Sequence, residues 1–201
     1  MTMKTGADYT WLENDFPDLA EAYCFTLVRG LPPVELTSRL EGRPQPALHG
    51  IAAVVDAAFA RYGHEEDGRQ VVAMTTVGDW TLLIEPNGYF GATEDHALPV
   101  SAGTSWVSHF VNINALGTFL WAEDRTLRLS FDPMFPEERW GSTPDALLDA
   151  MHHAGFPFEE SPEPDLSSPA AFALAEHVTG VALTPALLRD TTFTCATIRM
   201  R

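Results

Sequence analysis

Apolar residues fall along the chain in short runs that change rhythm from segment to segment. Near the start, Trp11, Leu12, Phe16 and Leu19 are threaded among Asp8, Glu13, Asp15 and Asp18, a pattern that predicts a short docking helix or cap. Tyr23 to Val28 is rich in aromatic and β-branched residues and closes at Arg29-Gly30, which predicts a first strand. Pro32 and Pro33 suit the first turn of a helix, and helical apolar spacing runs from Pro33 to Leu40, ended by Gly42. Arg43-Pro44-Gln45-Pro46 reads as a breaker. Gly50 to Ala60 reads as a buried helix on its alanine content, with a strand as the alternative. The polar run from Gly63 to Arg69 reads as an exposed loop.

The middle of the chain is β-rich. Val71–Thr76 and Trp80–Glu85 flank Val77-Gly78-Asp79, a hairpin turn, and Pro86-Asn87-Gly88 then ends the second strand sharply. Three more β segments follow, Thr104–Asn112, Thr118–Glu123 and Thr126–Phe131, the last two joined across Glu123-Asp124-Arg125. Ser142-Thr143-Pro144-Asp145 has the hydroxyl, proline and acid of a helix start, with Leu147, Leu148 and Met151 as its apolar face and Gly155 as its stop. An acidic, proline-rich connector near 157–169 leads to short helices at Pro169–Val178 and Thr184–Leu188 and a final strand at Thr192–Met200. Sequential strands joined by tight turns, with helices before and after them, predict an α+β fold. Its antiparallel β-sheet has about five to seven strands and helices packed mainly on one face, in a single domain over 1–201.

Charge narrows the partners. Of 201 residues, 28 are acidic and 12 basic, a net charge of −16, so direct binding to nucleic acid or an anionic membrane surface is not expected. A protein partner with a basic surface is. Between Glu137 and Glu176 nine acidic residues face one basic residue, Arg139, so the charge is concentrated in the last third. Cys24 and Cys195 lie at opposite ends in apolar surroundings and imply no disulfide framework. The polar, acidic start lacks the apolar stretch of a signal peptide, and the longest apolar runs are broken by Asp, Glu or Pro, so a cytoplasmic location is expected.

Nucleotide, metalloprotease, redox and nucleophile-elbow motifs are missing from the sequence, and no cofactor or metal is expected. His64-Glu65-Glu66-Asp67 has ligand chemistry but reads as a solvated loop, and His152-His153 as a pair at a helix C-terminus. Asp79 to His109 holds the remaining candidates. If His109 or His96 pairs with Glu85 or Asp95, the two could act as acid and base in a pocket walled by Trp80 and Trp106. Alternation within Ser105–Asn112 puts His109 among apolar neighbours, which reads first as a packing histidine. Phe135 and Trp140, in a proline-containing loop, either anchor that loop or contact a partner, as Trp80 and Trp106 would if exposed.

The run Ala22–Leu31, Gly78-Asp79-Trp80-Thr81 with Glu85-Pro86-Asn87-Gly88, Asp132-Pro133 through Trp140-Gly141 with Pro144–Leu147, and Leu174–Val181 with Leu183-Thr184-Pro185 together resemble an uncharacterised actinobacterial family of unknown function. The resemblance spans nearly the whole chain. It implies a cytoplasmic accessory protein and carries over no catalytic residue. The Trp-strand-Glu-Pro-Asn-Gly pattern is also similar to small α+β immunity proteins that neutralise toxins. The leading expectation is therefore a non-catalytic binding protein for a basic partner. The alternatives are a small-molecule or catalytic pocket in the β-rich middle and a polyanion mimic built on the acids of Glu137 to Asp165.

Overall fold

The computed structural model describes residues 3–61, 68–158 and 165–200. A 3-10 turn at Gly6–Tyr9 precedes α1 (Trp11–Asp15) and α2 (Pro17–Ala20). Then come β1 (Tyr23–Arg29), α3 (Pro33–Arg39), β2 (Arg43–His49), α4 (Ile51–Arg61), β3 (Arg69–Val77), β4 (Trp80–Pro86) and a second 3-10 turn at Phe90–Ala92. The chain continues through α5 (Glu94–Val100), β5 (Ser105–Val111), β6 (Gly117–Glu123), β7 (Thr126–Phe131), α6 (Leu148–Ala154), α7 (Ser167–Thr179), α8 (Pro185–Asp190) and β8 (Thr192–Arg199).

All eight strands join one antiparallel sheet in the order β2-β8-β3-β4-β1-β5-β6-β7. The fold is thus α+β, as the sequence predicts, with one strand more than the upper expectation. The extra strand is β2. Pro44 and Pro46 look like a breaker, but an edge strand needs its N–H donors on one side only, so proline is tolerated there. Residues 63–67 of the expected polar loop lie outside the described residues.

The sheet is covered on both faces. Tyr23, Phe25, Leu27, Leu82, Ile84, Val107, Phe119 and Phe193 face the larger core, under α4, α6, α7, α8 and the N-terminal turns. Val28, Met74, Leu83, Trp106, Leu120 and Ile198 face a second core under α3, α5 and the Phe90–Ala92 turn. That explains the nearly unbroken apolar runs of β1 and β4: a strand buried on both sides has no solvent face to mark with polar residues. Most helices do lie on one face, but the opposite face is closed too.

α6 starts later than expected. Ser142 and Thr143 spend their backbone N–H groups on the carbonyls of Leu127 and Arg128, at 2.9 and 3.0 Å, and the Ser142 hydroxyl also donates to Leu127 O at 2.8 Å. A residue laced to β7 in this way cannot cap a helix. The Pro86-Asn87-Gly88 turn behaves as predicted, with Asn87 at φ +52.

Among the described residues no helix is long and apolar enough to cross a membrane. Pro44 and Pro46 remove two donors from β2, and the register shift between Gln45 and Leu48 makes the strand irregular, leaving its edge a poor template for a further strand. Replacing both with threonine is expected to produce concentration-dependent self-association in sedimentation velocity experiments. Unchanged sedimentation would show that the prolines do not protect this edge.

Candidate functional site

The register of β1 decides how the central polar residues are distributed. Cys24 lies opposite Glu85 on β4 and Phe110 on β5, while its neighbour Phe25 lies opposite Ile84 and His109. Cross-strand partners share a face and adjacent residues do not, so Glu85 and His109 point to opposite sides of the sheet. The pairing of Glu85 with His109 as acid and base therefore does not form. The pocket built on it falls as well, because Trp80 faces the larger core whereas Glu85 and Trp106 face the smaller one.

Glu85 is fully buried, and the chain folds back over it. Its Oε2 accepts hydrogen bonds from Phe90 N (2.9 Å) and Gln70 Nε2 (2.8 Å), and its Oε1 accepts from Gly91 N (2.8 Å). The Gly91 carbonyl in turn accepts from Trp106 Nε1 (2.8 Å) and Ser108 Oγ (2.7 Å). Phe90 stacks on His96 at 4.4 Å between ring centres. Glu85, Trp106 and His96 are therefore brought together, through Phe90 and Gly91, in a clasp that pins the segment after β4 onto the sheet. Two glycines make room for it. A Cβ on Gly88 would overlap the Gln70 amide, and one on Gly91 would overlap Thr26 Oγ1.

Burial pushes the Glu85 carboxyl up from about 4.5 to about 7, against the pull of the Gly91 and Phe90 N–H groups. Burial, with the adjacent Glu85, also holds the Cys24 thiol well above its ordinary range, so Cys24 is a packed thiol and not a nucleophile. Asp95 is exposed on α5 and takes no part in the clasp.

On the other face, His109 is 1% exposed and its Nε2 lies 3.0 Å from the Tyr23 hydroxyl, with Phe172 edge-on at 4.9 Å. Burial pushes its imidazole down to about 3, so it is neutral at physiological pH. It is the packing histidine that its apolar neighbours predict. Trp80 and Trp106, at 9% and 0% exposure, are core residues with no surface to offer a partner. Phe135 and Trp140 are about half exposed, and Trp140 Nε1 donates to Glu94 Oε1 at 2.8 Å, tying the loop to α5.

His64 to Asp67 lie outside the described residues, as do Glu159, Glu160 and Glu163 of the acidic connector. Among the described residues no three His, Cys, Asp or Glu side chains gather as a metal site.

One opening went unmarked in the sequence. A cleft of about 260 Å³ lies beneath the N-terminal turns, with Tyr9, Tyr23 and Phe172 in its wall and Glu13, Glu21 and Asp165 around it. Tyr9 stacks on Phe172 at 5.7 Å and is held by a 2.5 Å hydrogen bond from its hydroxyl to Glu176 Oε2. The contributing segments are far apart in sequence, so no local motif could reveal it. Beyond Gln70 a second cleft, about 330 Å³, opens between Phe59, Tyr89 and Phe110, and among the described residues no charged side chain lines it.

Residues 2–201 match the model of the family described as a family of unknown function, DUF6461. The chain belongs to DUF6461. No curated protein and no solved structure matches it. For this DUF6461 protein the clasp and the cleft therefore have to be read from their own chemistry.

Glu85 and His109 tilt stability in opposite directions. Folded Glu85 holds its proton more tightly than the unfolded chain does, so its contribution is full below pH about 4.5 and is lost as pH rises through about 7. Folded His109 holds its proton less tightly, so its contribution is present above its ordinary value of 6.5 and is lost as pH falls toward about 3. Between about 4.5 and 6.5 the two slopes oppose each other. Glu85→Gln is expected to expose the rising His109 slope, with the difference between parent and variant changing by about 3 kcal/mol over pH 4.5–7 in urea unfolding. Parallel pH profiles would refute the burial of Glu85. Gly91→Ala is expected to cost about 2–4 kcal/mol in the same assay, because overlap with Thr26 forces the clasp apart. A loss below about 0.5 kcal/mol would show that the segment is not held.

Proposed function

We propose that this DUF6461 protein is a non-catalytic binding or accessory protein that engages a protein partner with a basic surface, in a regulatory or immunity-like role. The observation that carries the reading is the separation of Glu85 and His109 onto opposite sheet faces, both buried, which leaves the polar residues of the β-rich middle to structure. What reaches solvent has the chemistry of recognition. In the loop after β7, exposed Met134, Phe135 and Trp140 alternate with exposed Glu137 and Glu138. An aromatic anchor inside an acidic rim suits a basic partner, because long-range attraction speeds encounter while the ring supplies buried area. The net charge of −16 acts in the same direction. A cytoplasmic, actinobacterial setting belongs to this proposal, on the resemblance of the sequence.

The test is capture from native cells at low salt, followed by reconstitution of the binary complex from two purified proteins. We expect the affinity to fall about tenfold or more between low and moderate salt, and Phe135→Ala to weaken it by a further tenfold or so. A complex indifferent to both salt and Phe135, or no binary complex at all, would contradict the reading.

A further inference from the structure

The cleft beyond Gln70 brings open aromatic rings together with polar groups whose orientation the protein has already set. Phe59 on α4 and Tyr89 after β4 are 49% and 46% exposed, so both rings keep surface free for a ligand. Phe110 meets Tyr89 edge to face at 6.5 Å, which braces that ring. Two carboxamides in the same lining are each engaged at one end only. Gln70 donates from Nε2 to Glu85 Oε2 at 2.8 Å, which commits the nitrogen end of its amide and leaves Oε1 an acceptor with no donor among the described residues. Asn112 has the reverse arrangement. Its Oδ1 accepts from Asn114 N at 2.9 Å and Leu116 N at 3.1 Å, and its Nδ2 has no acceptor among the described residues. The buried carboxyl and the β5–β6 turn thus hold one free acceptor and one free donor in a fixed sense.

We propose that this cleft binds an uncharged, planar nitrogen heterocycle that carries an amino donor beside a ring-nitrogen acceptor, an aminopurine or aminopyrimidine. The rings of Phe59 and Tyr89 supply stacking surface, which any flat π-system can use. The edge supplies the selection: the ligand's amino group donates to Gln70 Oε1 and its ring nitrogen accepts from Asn112 Nδ2, the paired contacts by which carboxamides read a base edge. The volume, about 330 Å³, holds such a ring with a sugar attached. Charge argues for a neutral ligand. Among the described residues no charged side chain lines the cleft, so a cation would shed its water with no carboxylate to replace it. A phosphate would in addition be repelled by the net charge of −16. The cleft shares no residue with the loop after β7, so this proposal does not depend on the protein partner proposed above.

Nuclear magnetic resonance titration of the whole chain tests this, with adenosine, cytidine, purine riboside (adenosine without its amino group) and adenosine monophosphate as probes. Adenosine or cytidine is expected to bind with a dissociation constant of about 1 mM or tighter, shifting the side-chain amide signals of Gln70 and Asn112. Purine riboside should bind about tenfold more weakly than adenosine, and adenosine monophosphate no more tightly than adenosine. Phe59→Ala puts a better helix former at a half-exposed position of α4, and Asn112→Asp keeps the oxygen that accepts from Asn114 and Leu116 while removing the donor, so both variants should fold. Each is expected to lose about tenfold in affinity. The proposal is overturned if neither nucleoside binds at about 10 mM, if purine riboside matches adenosine, if adenosine monophosphate binds more tightly than adenosine, or if affinity survives in both variants. None of these outcomes bears on the salt-dependent complex with a protein partner.

Discussion

A sheet covered on both faces leaves its central strands no water, and the pairing of Glu85 and its neighbours follows from that constraint. β1 lies between β4 and β5 with helices or turns on either side, so each polar atom near it must find its partner within the protein. Glu85 meets this demand by drawing in the N–H groups of Phe90 and Gly91 and the Gln70 amide, while Trp106 and Ser108 satisfy the carbonyl those groups leave behind. On the opposite face His109 Nε2 pairs with the Tyr23 hydroxyl. These arrangements lock the segment after β4 and the N-terminal half of α7 against the sheet. The same residues are the ones that look most like catalytic candidates in the sequence.

That coincidence explains how much could be read from the chain alone. β1, β3 through β8 and the α+β class were legible because turn chemistry and β-branched runs are local signals, as at Val77-Gly78-Asp79 and Pro86-Asn87-Gly88. β2 was not, because the rule that proline breaks strands holds for interior strands, and the sequence does not say which strand is at the edge. α5 carried no readable signal, since Pro99 sits inside seven residues with little apolar periodicity. The start of α6 was misplaced because the hydroxyls of Ser142 and Thr143, typical of a cap, serve β7 instead.

The candidate site was less legible than the fold, for the same physical reason. Alternation along β5 correctly put His109 among apolar residues, but which face Glu85 shares with which neighbour depends on register across β1, a non-local quantity. The anionic aromatic cleft draws on the N-terminal turns, β1, the β5–β6 connection and α7, and no single window of sequence contains enough of it to be noticed. Charge marks the acidic C-terminal third but not Glu13 and Glu21 near the N-terminus, neither of which forms an ion pair among the described residues. Interior and surface are thus divided in chemistry: the interior polar residues hold the sheet together, and acids and aromatics such as Glu137, Phe135 and Trp140 lie exposed.

The division rests on Glu85 being sealed from water. A carbon-13 titration of its side-chain carboxyl, read together with hydrogen exchange at the Phe90 and Gly91 amides, measures this directly. The account predicts a midpoint near 7, far above that of an exposed glutamate, with both amides protected to the level of the central strands. A midpoint near 4.5 with fast-exchanging amides would place Glu85 in contact with solvent and return it to the list of groups available for chemistry.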